Sequence, residues 1–471
     1  MKKLITLIIA FLLFPLSTLI SQEVDLKAHY NEITYNQYLK SDWQGIISTG
    51  KTAIESEIDF YYLRLRMGIA YAEMANFRLA ITNYKKALEF VPNDPIALEY
   101  LYYAYLYGGM KNTAKLFYDD LPIALRKKIS HESLPVFGNI YFETGYALAS
   151  YDNSEIYFPG LSENYFSEIF TRKSQTYTNA NLMFNLSNSA SLSFAYTGLG
   201  VESVHQYKIK NEEAKTEDLK VKQSDLYAAV NIHTKNNLIL IPFFHNVNTA
   251  LAYTYVDYDT ASYTLGSNIN INFNEQFSQF TENDQLAGFG FFKRSGLLDL
   301  SASVSYSALN QLKQQQISTK ISFLPKGNYS LYFAPEFRLF FEDNTQRSIY
   351  KITSGFTFSK NAWTELAFTY GNLQRTHENF GAIVYNLPDK TKYKADAVVH
   401  YAFKNGVSLS LRYQLTQKES VMKTNSLITT TTPGGGGFGQ GSSTSVTDWQ
   451  TTESLYTFAQ HFIIFGFNWN L

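Results

Sequence analysis

The chain has 471 residues, a net charge of -1 at neutral pH and no cysteine. That balance excludes the broad basic field of a nucleic-acid binder, and the missing thiols exclude disulfides, thiolate zinc sites and lipid attachment through an N-terminal cysteine. Aromatic residues reach 16% while charged residues fall to 17%, against roughly 25% charged in ordinary soluble domains. Beyond the N-terminus no run of about 18 apolar residues is available for a transmembrane helix.

Residues 1–21 have the layout of a secretory signal peptide: Lys2 and Lys3 precede an apolar stretch from Leu4 to Leu19, and Ser21 is a small residue before a cleavage point. A mature chain would begin near Gln22, in the periplasm of a double-membraned bacterium.

Residues 22–132 carry a helical period. The clearest unit runs from Phe60 to Asn93 and contains Gly68, Tyr71, Ala80, Tyr84, Ala87 and Pro92, at offsets of 3, 12, 16, 19 and 24 from the glycine. Gly68 and Ala80 would be small where two helices cross, Tyr71 and Tyr84 would fill the groove between them, and Pro92 would stop the second helix. These residues resemble the tetratricopeptide repeat (TPR), a helix–turn–helix unit of about 34 residues. One step forward, Leu98, Leu101, Tyr105, Ala114 and Tyr118 form a weaker copy; one step back, Tyr30, Ile33, Ile46 and Ala53 form a weaker one still. Arg64 and Tyr102 depart from the pattern. A generic pair of helical hairpins is the plainer alternative.

From Pro135 onward the period is two. Val407, Leu409, Leu411, Tyr413 and Leu415 alternate with Ser408, Ser410, Arg412, Gln414 and Thr416. Leu331, Phe333, Phe337, Leu339 and Phe341 alternate with Ser330, Glu336, Arg338 and Glu342, and Leu298 to Tyr306 repeats the pattern against a row of serines. The last strand sets Ile463, Phe465, Phe467, Trp469 and Leu471 on one face. Strands of about ten residues that are apolar outside and polar inside are expected of an outer-membrane barrel.

Short breaks at 187–189, 235–237, 294–296, 325–328, 359–362 and 404–406 read as tight turns, and longer polar connections at 151–173, 202–222, 257–284, 309–316, 342–347, 372–391 and 418–452 read as outer loops. Together they join about 14 strands over 135–471, with both barrel ends on the side of the short turns. The fold class expected is therefore multi-domain, α then β: a periplasmic TPR-like helical solenoid followed by an antiparallel transmembrane β-barrel.

Inward parity assigns Asp225, Asp299, Glu336, Arg338, Lys351, Glu365, Asp396, His400 and Arg412 to the lumen. These mixed charges would either keep the interior solvated or line a substrate path. The eight histidines lie scattered, with no pair at ligand spacing, so neither a metal nor any other cofactor is expected. No serine sits in a nucleophile elbow, which leaves a barrel enzyme as the weakest of three readings. Residues 205–222 read as a solvated charged loop. The Gly-rich stretch 429–445 reads as an exposed flexible loop, with an inward plug as the alternative.

A periplasmic TPR array joined to an outer-membrane barrel resembles the exporter porins of surface polysaccharides, such as the poly-β-1,6-N-acetylglucosamine exporters. The resemblance implies transport of a polysaccharide or other solute, outer-membrane lipid around the barrel, a periplasmic protein docked on the TPR groove, and no nucleic acid. The other reading is a non-conducting scaffold, its lumen filled by side chains such as Tyr332, Phe340 and Phe289.

Overall fold

The computed structural model describes residues 26–129, 133–151, 165–209, 212–260, 271–343, 345–387, 389–432 and 444–470. The expected signal peptide and most of the Gly-rich loop lie outside them. Among the described residues no helix is long and apolar enough to cross a membrane.

The N-terminal part is a run of helices: α1 (26–39), α2 (Trp43–Glu55), α3 (Tyr61–Glu73), α4 (Phe77–Phe90), α5 (Pro95–Tyr107), α6 (Lys111–Tyr118) and α7 (Ile123–Lys128). Side-chain caps start several of them: Asp42 accepts from the Gly45 amide, Asn76 from that of Leu79, and Asp94 from that of Ala97, with Pro95 in the first turn. Where α3 crosses α4, a Cβ on Gly68 would overlap the Tyr84 ring, and Ala80, Tyr84 and Ala87 are buried beneath. Pro92 follows the end of α4, and Tyr71 is buried on α3. Arg64 forks onto Asp59 with both bonds at 2.7 Å and reaches across to Asn83 of α4 at 3.1 Å. Tyr102 is buried in the same apolar core. The helices are short, and α6 and α7 have only eight and six residues.

Fourteen strands close into a barrel, every neighbouring pair antiparallel: β1 (Phe137–Tyr151), β2 (Tyr165–Asn185), β3 (Ala190–Ile209), β4 (Lys215–His233), β5 (Leu238–Thr260), β6 (Ile271–Ser295), β7 (Leu298–Leu309), β8 (Leu312–Phe323), β9 (Leu331–Glu342), β10 (Thr345–Ser359), β11 (Ala362–Tyr370), β14 (Lys390–Ala402), β15 (Val407–Thr432) and β16 (Thr444–Asn470). β12 (His377–Glu378) and β13 (Ile383–Val384) form a separate hairpin. β1 pairs with both β2 and β16, from Asn139 against Asn470 to Tyr151 against Phe458, so the ring has no open edge there.

The outside carries the apolar side chains. Leu411 is 48% exposed and Phe465 61%, while Ile464 and Phe462 on the opposite face are buried. Burying one such side chain is worth roughly 1.5–3 kcal/mol, so a continuous belt of them belongs in lipid. A closed barrel satisfies every backbone group without water and is the form in which strands cross an outer membrane.

Strand lengths are uneven: β15 and β16 have 26 and 27 residues, β7, β8 and β9 only 12 each. A crossing needs about 9–11, so the long strands rise well beyond the bilayer on the side away from the short turns. This corrects the expected loops. Most of 202–222, 257–284 and 418–452 is strand: above the membrane the outer face meets water instead of lipid and loses its apolar row, while the ladder continues and the inner face stays buried through mixed residues such as Ser203, His205, Tyr207 and Ile209. His205, expected in a solvated loop, is fully buried, stacked on Phe170 at 4.4 Å with Glu217 2.9 Å away. Conversely 309–316 and 342–347 shrink to tight hairpins; Asn310 and Gln311 both take positive φ, as a type I′ turn requires. At the rim, Met422–Ser426 of β15 pairs with β2 and ties the β15–β16 ribbon across to it.

Candidate functional site in the barrel lumen

The connection between β11 and β14, expected as an outer loop, folds into the barrel instead. Its tip reverses through three consecutive left-handed residues, Asn379, Phe380 and Gly381, between β12 and β13. Phe380, Ala382 and Val384 pack on an apolar patch of the wall that includes Tyr227, Ile241, Phe243 and Leu286. Gly290 of β6 makes the notch for Phe380, since a Cβ there would overlap its ring.

Polar anchors hold the segment along its length. Arg375 forks onto Glu342 with both bonds at 2.6 Å, and Arg347 donates to the Gln374 carbonyl at 2.6 Å. Gln316 exchanges two hydrogen bonds with the His377 backbone, at 3.0 and 3.2 Å, and the His377 ring meets Ser305 at 2.6 Å. His245 Nδ1 lies 2.6 Å from the Gly381 carbonyl. Asn386 donates to Asp284 at 2.8 Å, and Asp389 pairs with Arg172 and Lys418.

At the centre is Glu378, 2% exposed. Lys351 reaches one of its oxygens at 2.6 Å; Arg338 and Lys394 reach the other at 3.1 and 3.2 Å, and the Tyr385 hydroxyl donates to it at 2.8 Å. Glu336 lies 3.0 Å from Arg338, and Asp396 3.8 Å from Lys394. Three cations thus face three carboxylates in a buried, neutral cluster.

The nine residues assigned to the lumen all lie on inward faces but do not form one site. Glu336, Arg338, Lys351 and Asp396 join the Glu378 cluster. Asp225 accepts from Gln223 at 3.1 Å and faces His245 at 3.6 Å. Arg412 lies 3.5 Å from Glu143, and His400 stacks on Trp363 at 4.7 Å. Glu365 borders two cavities along the inserted segment, of about 430 and 610 Å³, whose linings also share Lys320, Tyr332 and Asn379. Phe289 is corrected: the β6 register turns it to the lipid side, 46% exposed, whereas Tyr332 and Phe340 point inward and are buried. The groups missed from sequence are Glu378, Tyr385 and Lys394. For Glu378 and Tyr385 the one signal was the apolar run Ala382–Val384 inside their connection, whereas Lys394 shares the inward parity of Asp396 on β14. Among the described residues no acidic and histidine cluster is arranged to hold a metal ion.

Asp299 belongs to the short-turn mouth, where Arg78 of α4 reaches it with two bonds of 2.6 and 2.9 Å. Tyr329 donates to the same carboxylate at 2.5 Å. Burial alone would disfavour the Arg78 cation, but its bonds to Asp299, with the charge of that carboxylate, outweigh it and hold the guanidinium above its ordinary value. Further ties run to the other short turns: Lys235 to Asp120, Arg294 to the Gly109 carbonyl and Asn112 to the Asn188 carbonyl.

No protein-family model and no curated protein matches this chain. Solved barrels do resemble it in shape. The toluene transporter TodX of P. putida is 6% identical with a TM-score of 0.41, covering 71% of this chain and 90% of that one. A FadL homologue of Pseudomonas aeruginosa is 9% identical at 0.44, covering 80% and 94%. The outer membrane protein Omp33 of Acinetobacter baumannii is 7% identical at 0.30, covering 71% and 99%. Likenesses this loose say nothing about what passes through this barrel, and they lend no support to polysaccharide export or a TPR array.

Proposed function

We propose that the protein is an outer-membrane transport barrel for a polar solute, held closed by the segment between β11 and β14. The observation that carries this is the Glu378 cluster: a surface connection has been drawn into the lumen and fastened there by ion pairs that its removal would leave in a wet, open pore. Wall hydroxyls and mixed charges along the segment suit water and polar solutes better than apolar ones. On this reading the helical domain lies in the periplasm, where its hairpins would dock a protein partner, and a polysaccharide is the finer candidate for the cargo.

The test is current through the purified protein in planar bilayers, with and without residues 374–387, each measured with Arg78 in place and with Arg78→Ala to free the short-turn mouth. Silence from the intact chain and steady conductance when the deletion and Arg78→Ala are combined is the expected pair. A doubly altered barrel that folds normally and stays silent would leave the second reading, a membrane-anchored scaffold. The observation favouring that alternative is the completeness with which the inserted segment is bonded to the wall.

A further inference from the structure

The cavity of about 610 Å³ has the inserted segment at one end, through His377, Asn379 and Phe380. At its other end it is bordered by Asp299 and Tyr329, the two barrel residues that hold Arg78 of the helical domain. Arg78 and Asp299 are 7% and 3% exposed, so the pair is buried in the mouth rather than lying on the surface. A two-pronged guanidinium–carboxylate contact fixes angle as well as distance. The fit beside it is equally close: Gly327, in the β8–β9 turn with φ of 67°, has the side chain of Asn76, the cap of α4, where a Cβ would stand.

We infer that the helical domain is a second gate, held over the short-turn mouth by Arg78, and that the cavity between the two closures is a holding chamber for one small polar solute. Its size falls within the roughly 300–1,000 Å³ of small-molecule sites, and Ser301, Ser303, Ser318 and Ser322 supply hydroxyls along its wall. The inference rests on the transport reading for its purpose; the closure itself is measurable without any current.

The chain has no cysteine, so Ser303→Cys places a unique thiol on the chamber wall. In full-length protein oriented in liposomes, a charged, membrane-impermeant methanethiosulfonate is applied from each side in turn. With both gates intact the thiol reacts slowly from either side. Adding Arg78→Ala, or Asp299→Asn from the barrel side of the contact, raises the rate at least tenfold from the short-turn side only. Deleting 374–387 raises it from the opposite side only. Heat-dependent gel mobility reports whether each barrel is folded. Rapid labelling from the short-turn side with Arg78 in place, or no change in either folded variant, overturns the second gate. The labelling pattern with no conductance even when the deletion and Arg78→Ala are combined would instead refute the transport reading and leave the gate standing; steady conductance from the deletion alone, with Arg78 in place, would overturn the second gate and leave the transport reading standing.

Discussion

Glu378 is the residue on which the closed lumen turns, because its carboxylate is the shared counter-charge of Arg338, Lys351 and Lys394. Glu378→Gln keeps the shape and removes the charge, leaving three cations with only Glu336 and Asp396 beside them. Removing one partner from a buried ion cluster costs about 3–5 kcal/mol, enough to bias the segment outward. Trypsin cleavage after Arg375 in the membrane-embedded protein should quicken at least tenfold; cleavage as slow as in the parent chain would mean that the Arg375–Glu342 fork and the Phe380 notch hold the segment without Glu378. Inward parity placed Arg338 and Lys351 in the lumen from sequence. Their common partner was hidden, since a connection without a period gives no sign of which way its side chains point.

At the scale of the element, each barrel strand is a two-sided object whose faces answer to different solvents. Leu411 stands near the middle of the lipid-facing row of β15, between Leu409 and Tyr413, opposite Phe465 of β16. Leu411→Arg should destabilise the barrel by roughly 2–4 kcal/mol, read from the urea midpoint of folding into liposomes, with little change for Ser410→Asn on the opposite face. An unchanged midpoint would reverse the two faces. Period two shows clearly wherever one face meets lipid. It fails on the tall extensions of β3 to β6, β15 and β16, where the outer face meets water and the buried inner face mixes polar with apolar residues, and those stretches read as loops although their backbones remain paired.

At the scale of the whole molecule, two units of different cohesion are joined by a small set of ties. The barrel is closed on itself, with each strand bonded on both edges, while the helices rest on an apolar core of their own and touch the barrel at its short turns. Heating in detergent should give two transitions, the helical signal near 222 nm lost first and the barrel later. Gly68→Leu, which drives a side chain into Tyr84, should lower the first transition by an amount equivalent to roughly 1–3 kcal/mol and leave the second in place. A single transition shared by both signals would mean that the Arg78 contact couples the two units into one.

By itself the sequence determined the order helices-then-barrel, the number of strands and, Phe289 apart, which of the assigned side chains face lipid, because each is written in local periods imposed by the solvent on either side of one element. Only the tertiary structure decided that the lumen is occupied, that a connecting segment is its occupant, and that Arg78 enters the mouth. Those outcomes depend on charges 221 residues apart in the chain for Arg78 and Asp299, and 40 apart for Arg338 and Glu378. No period couples such positions; closing the barrel is what brings them within bonding distance.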